Sequence, residues 1–142
     1  MISYRFDDRH ITWRTLEGIE HLEFAILDID QPSLIADIVF KFAAHQPIIL
    51  HRHLAVNHMW VVQGEHRLFY ADGSLKEIRP VGRYTRSQPS PEPHRECGGD
   101  EGAVVLFSIR GSQGVLYELL DDDEQCVGTL SWQDVLNLAG TK

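Results

Sequence analysis

Cysteine is scarce in this chain of 142 residues: there are two, Cys97 and Cys126. Two cannot build a disulfide framework, so a hydrophobic core must hold the fold, and the usage fits a reducing cytoplasm. No apolar run approaches the roughly 18–20 residues of a membrane span. The N-terminus, Met-Ile-Ser-Tyr-Arg-Phe-Asp-Asp, lacks the basic region and hydrophobic stretch of a signal peptide. Positive charge is also in short supply. Lys and Arg number 13 against 21 Asp and Glu, a formal charge of −8, which argues against binding a phosphate backbone. There is no glycine-rich phosphate loop and no Gly-x-Ser-x-Gly nucleophile elbow. The expected partners are a small-molecule substrate and a second copy of the chain, as a homodimer.

What is present is β-pattern. The length suits one domain with a real core, and a hydrophobic content of 43% is ordinary for a globular protein. Residues 1–20 (with Tyr4, Phe6 and Trp13) read as an arm with one short strand, covering the barrel or a partner subunit. From residue 21 to 130 short strands recur between turns. Ile35 to Phe42 alternates, with Ala36, Ile38, Phe40 and Phe42 on the dry face. Met59 to Gln63 and His66 to Tyr70 read as a hairpin about Gly64. Leu75 to Pro80 reads as an edge strand, and Arg83 to Arg86 as another strand. Gly98 to Gly102 reads as the most flexible loop. Ala103 to Ile109 is a continuous apolar run, expected as a central strand buried on both faces. Only residues 131–142 look helical, with Ser131 and Asp134 in a capping box and Gly140 as a left-handed stop. The pattern is that of an all-β closed barrel or jelly roll with a short C-terminal helix.

The chemistry concentrates at His51-Arg-His53. Alternate residues of a strand share a face, so the two imidazoles point the same way, about 7 Å apart along the strand. That spacing lets both close on one ion at about 2.0–2.1 Å each. His94 is the best third donor, since Pro89-Ser-Pro91-Glu-Pro93 fixes where its ring goes. Taken as neutral imidazoles, His51, His53 and His94 leave the ion its full charge and open positions for water, O₂ or a chelating oxygen ligand. Asn57 has the right parity for a fourth place but is a weak ligand. His58 is a better donor that faces away unless a bulge intervenes; both are read as neighbours of the metal shell or packing residues. With unbroken alternation Met59, Val61 and Gln63 line an apolar pocket beside the metal, joined by Phe69 or Tyr84, and Trp60 and Val62 face outward. Arg52 is read as a structural ion pair. Arg67 and Arg110 are conceivable anchors for an anionic substrate, and Cys97 is read as a buried or edge thiol.

His51, His53, Asn57 and Gly64, followed by Gly82, Pro89 and His94, resemble the two motifs of the cupin superfamily, over about Leu22 to Leu120. The usual first motif has Glu where this chain has Asn57. The histidine pattern is similar to the three-histidine cupins, among them the acetylacetone-cleaving and dihydroxyacetophenone dioxygenases and the cupin domain of an anti-sigma factor. The resemblance implies a single cupin barrel with one divalent metal per chain. Fe(II) suits an oxygenase; Zn(II), Ni(II) or Mn(II) could occupy such a site. It further implies a dioxygenase: a small β-diketone or hydroxyketone would chelate the metal, react with O₂ as its enolate and lose a carbon–carbon bond. The alternatives are a non-catalytic metal- or ligand-binding regulatory or sensor module, and an isomerase acting on a sugar or keto acid.

Overall fold

The computed structural model describes residues 5–140; the arm residue Tyr4 lies outside them. Ten strands precede one helix: β1 (Arg14–Leu16), β2 (Ile19–Asp30), β3 (Ile35–Phe42), β4 (His51–His53), β5 (Val56–Tyr70), β6 (Leu75–Pro80), β7 (Tyr84–Ser87), β8 (His94–Arg110), β9 (Val115–Leu120), β10 (Cys126–Ser131) and α1 (Trp132–Ala139). Hydrogen bonding runs β1-β2-β3-β8-β4-β9-β10, and β5 joins β8 while carrying β6 and β7. All named strand pairs are antiparallel.

β8 makes this a barrel. Its second half pairs with β3 from Ala103 to Arg110, its start pairs with β4 at His94, and β5 follows it along most of its length. One strand shared by three neighbours forces the sheet to curl around its apolar side. The core is what alternation predicts: Ala36, Ile38, Phe40 and Phe42 from β3 meet Met59 and Val61 from β5 and Val105, Phe107 and Ile109 from β8. Phe40 and Phe107 pack edge to face with centroids 4.9 Å apart. Burying each such ring contributes about 2–3 kcal/mol.

The arm covers its own barrel. Phe6, Ile11 and Trp13 pack with Val62 against Ala25, Val39 and Val104 on the outer face. Lys41 lies 4.6 Å over the Trp13 ring and pairs with Asp8 at 3.2 Å, and the Trp13 indole donates to Asp8 at 2.9 Å. At the other end, Trp132 and Val135 of α1 are buried in the main core. Ser131 and Asp134 form the expected capping box, but Gly140 is right-handed (φ −79°, ψ −7°) with its N–H on Leu136 O. No described helix is long and apolar enough to cross a membrane.

Two glycine segments differ from expectation. Gly64 is not a hairpin turn but an interior residue of the 15-residue β5, and Gly98 to Gly102 are not a loop but lie within the 17-residue β8. The two segments pack backbone on backbone: a Cβ at Gly64, whose φ is +73°, would sit 2.2 Å from Gly102 O. Glycine allows that approach, so the chain bulges where the sequence pattern suggests a turn. The register slips between Val61 and Gln63 and again between Gly64 and His66. The inward parity therefore changes, from Met59 and Val61 to His66 and Leu68, all four buried. β10 has little signal of its own; Cys-Val-Gly-Thr-Leu-Ser has weak strand character, but β9 supplies the ladder.

Candidate metal centre

β4 is three residues long and turns His51 and His53 inward, both buried. Its neighbours fix it: His51 pairs with His94 of β8, and His53 with Tyr117 of β9. Alternation on β8 puts Glu96 on the same face as His94. The ligand atoms of His51, His53, His94 and Glu96 all lie within 4.8 Å of one another, and all four residues are buried. Among the described residues this is the one cluster of His, Cys, Asp and Glu so arranged.

Several of the nitrogens turned into the cluster have no partner in the protein. His51 Nδ1 lies 2.7 Å from Ile49 O and donates to it. The other ring nitrogen, Nε2, lies 2.8 Å from Glu96 Oε2. His94 Nε2 sits 3.7 Å from the same oxygen, and neither His94 Nε2 nor either nitrogen of His53 has a hydrogen-bond partner. Buried polar atoms without partners require an explanation. A divalent cation supplies one: ligands about 2.0–2.2 Å from a shared ion sit about 3 Å apart when adjacent. Three imidazole nitrogens and one carboxylate oxygen suit a first-row transition metal.

The charges agree. Burial, then the neighbouring His94, holds His53 well below the ordinary imidazole value. Burial also lowers His94, against the opposing pull of Glu96. Both are therefore neutral near pH 7, with free lone pairs. For Glu96 burial acts to raise the value, but the surrounding His51, His66 and His94 rings outweigh it and hold the carboxyl well below the ordinary value, so it stays ionised. A divalent ion held by all four would retain about one net positive charge; held by the three histidines alone it would keep both.

Three neighbours are not singled out by the sequence motifs. Glu96 stands two residues after His94, the same spacing that makes His51 and His53 a pair. His66 is fully buried and its Nε2 lies 3.0 Å from Glu96 Oε1, so it holds the carboxylate from behind. Tyr117 lies edge-on to His53 with ring centroids 5.0 Å apart. Burial, then the Glu96 charge, pushes its phenol well above the ordinary value, so it stays protonated. Its hydroxyl donates to Asn57 Oδ1 at 2.6 Å, and Asn57 Nδ2 donates to Ala55 O. Asn57 thus orients Tyr117 beside the cluster. The carboxylate in the cluster thus lies two residues after the second motif's histidine, while Asn57 occupies the first motif's position.

Of the other expected pocket residues, Met59 and Val61 are buried in the barrel. Gln63 is not in the pocket: the bulge turns it outward, where Oε1 accepts from Phe6 N. Phe69 is displaced by the same change of parity, and Leu68 takes the inner place. Tyr84 is 57% exposed, since β7 lies along β5 with Tyr84 opposite Trp60. His58 is hydrogen-bonded to Tyr84 rather than turned to the metal shell. Arg52 bonds Pro91 O and pairs with Glu118, as expected of a structural residue. Cys97 is buried.

Two cavities reach the cluster. One, of about 40 Å³, is apolar: Ile19, Phe40, Phe107 and Tyr117 bring it to His51 and Glu96. The other, of about 70 Å³, is polar: Lys76, Arg79, Ser90 and Glu92 bring it to His53 and His94. A larger cavity, about 700 Å³ and lined in part by Phe6 and Asp8 of the arm, touches none of the four.

No family model matches the sequence, and neither does any curated protein. Solved structures do. An RmlC-like cupin protein from Ralstonia eutropha JMP134 matches at TM-score 0.72 and 15% identity, over 97% of this chain and 85% of that one. An acetylacetone dioxygenase from Acinetobacter johnsonii matches at 0.67 and 11%, over 99% and 93%. A polyketide cyclase from Streptomyces resistomycificus matches at 0.60 and 18%, over 77% and 80%. At these identities the likeness shows the fold: this chain has the fold of a cupin barrel, with three histidines and a glutamate gathered inside it.

Proposed function

We propose that the protein is a metal-dependent dioxygenase that cleaves a carbon–carbon bond in a small β-diketone or hydroxyketone with O₂. The observation that carries this reading is the buried set of His51, His53, His94 and Glu96, whose unpartnered nitrogens converge beside two small cavities. The fold shared with an acetylacetone dioxygenase over nearly the whole chain supports it.

In this reading His51, His53, His94 and Glu96 hold one divalent metal, Fe(II) in preference to Zn(II), Ni(II) or Mn(II). The metal would polarise the substrate's oxygens and give access to O₂. His66 fixes the orientation of Glu96, and the Ile49 carbonyl fixes that of His51. Asn57 holds Tyr117, whose protonated phenol stands beside the His53 ring. Phe40, Phe107 and Ile19 keep the apolar side dry, which strengthens every electrostatic interaction within it. The reaction breaks one carbon–carbon bond and places one oxygen atom in each fragment, so no external reductant is needed.

The test is elemental analysis of protein purified without chelator, beside His94→Ala, followed by O₂ uptake with a panel of diketones after Fe(II) is restored. About one first-row metal per chain, lost in the variant, together with diketone-dependent O₂ uptake is expected. The absence of metal in both proteins and of binding on titration with Fe(II) or Zn(II) overturns the reading. A second reading, a non-catalytic metal-binding regulator, is favoured by one observation: four protein donors with only small cavities beside them resemble a closed structural site. Tight zinc without O₂ uptake selects it.

A further inference from the structure

β6 is built inside out. It lies at the edge of the sheet, bonded to β5 alone. Its apolar Ile78 is 42% exposed, while the next residue, Arg79, is 8% exposed. A guanidinium turned inward must find acceptors for five N–H groups. Arg79 finds little: Nη2 donates to Glu77 at 3.2 Å, Nη1 meets the weakly accepting sulfur of Met59 at 3.5 Å, and Nε is buried with no partner. The residue lines the same cavity as His53 and His94. Lys76 lines it too, and the one carboxylate in that lining, Glu92, is paired with Lys76 at 3.0 Å.

The two arginines that the sequence offers as anchors are placed elsewhere. Arg67 is paired with Glu65 at 2.5 Å and borders a different cavity. Arg110 bonds the hydroxyl of Ser108 on its own strand.

We infer that Arg79 anchors a carboxylate of the substrate, so that the site takes a small acid whose carboxylate lies beside its metal-binding oxygens. This rests on the metal reading proposed above and narrows its substrate from neutral diketones to acidic ones. The planar fork of arginine matches a carboxylate, and a charge-assisted pair is about twice as strong as a neutral hydrogen bond. The cavity of about 70 Å³ sets the scale. Water occupies about 30 Å³ per molecule, so the space suits a carboxylate and one or two connecting atoms.

The experiment compares malonate with acetylacetone as ligands of the Co(II)-loaded protein, read from the visible spectrum. Both present two oxygens in a 1,3 relation; only malonate carries carboxylates. Malonate is expected to bind at least about 10-fold more tightly than acetylacetone. Arg79→Met should weaken malonate by about 10- to 100-fold, as for loss of a charged hydrogen bond, and leave cobalt content and acetylacetone binding unchanged. Equal malonate affinity in the two cobalt-loaded proteins overturns the inference and leaves Arg79 as a guard against edge pairing. Should Arg79→Met fail to fold, Arg79→Lys keeps the charge without the fork; weakening by about 10-fold supports the anchor, and no change overturns it. Failure to bind Co(II) at all defeats the metal reading separately. Calorimetry of malonate on the metal-free proteins then decides Arg79 by itself: heat present in the wild type and lost in the variant supports it, and no heat overturns it.

Discussion

His51 and Glu96, on one side of the cluster, each give a second polar atom to the protein: His51 Nδ1 to Ile49 O, Glu96 Oε1 to His66. On the other side His53 has no partner at either nitrogen, and His94 has none at Nε2. The first pair borders the apolar cavity and the second the polar one. One half of the centre is thus tied into the barrel by hydrogen bonds. The other is held by packing and backbone register, with its lone pairs unspent. The tied half should matter to the fold with or without metal; the untied half should matter only to the metal.

The sharpest way to break that contrast is Glu96→Ala. It removes the bonds to His51 and His66 together, so urea unfolding of the metal-free protein should show a loss of about 2–4 kcal/mol, and metal binding should vanish. Retained stability would mean that the tied half is not tied. Next is His66→Leu, which touches no metal in this reading but frees one oxygen of Glu96. Metal affinity measured by competition with a chromophoric chelator should fall about 10- to 100-fold. His53→Leu tests the untied half. It should abolish metal binding yet stabilise the metal-free protein by about 1 kcal/mol, because two unpartnered buried nitrogens disappear. Destabilisation there would erase the difference between the halves. The smallest effect belongs to Tyr84→Ala on the outer face, expected to change stability by about 0.5 kcal/mol or less in thermal unfolding and metal content not at all.

Much of this centre is legible in the amino-acid sequence. His51-x-His53 on one strand face needs only alternation, and the proline corner before His94 marks it as the third donor. Glu96 obeys the same rule at the same spacing, but the usual carboxylate belongs to the first motif, and Asn57 in its place gives no sign that the second motif supplies one. His66, Gln63 and Phe69 are out of reach for a different reason. Their faces depend on two register slips, one at Val62 opposite Val104 and Val105 and one at Glu65 opposite the glycine segment, and a glycine that permits close backbone approach looks in sequence like a glycine that makes a turn. Tyr84 departs from its expected place because the pairing of β7 with β5 is a long-range choice that no local pattern encodes. Arg79 is hidden by the inverted polarity of its strand, where the apolar residue faces solvent.

The bulged glycine segment acts as a phase joint within one strand. It separates β8 into two stretches: His94 and Glu96 precede it, and Val105, Phe107 and Ile109 follow it. Side-chain direction has period two, so deleting one residue between Gly98 and Gly102 would reverse the first stretch relative to the second. The hydrophobic half would stay in register with β3 while two donors moved to the outer surface. A one-residue deletion at that segment should therefore cost the donor cluster while leaving the β3–β8 half of the core in place.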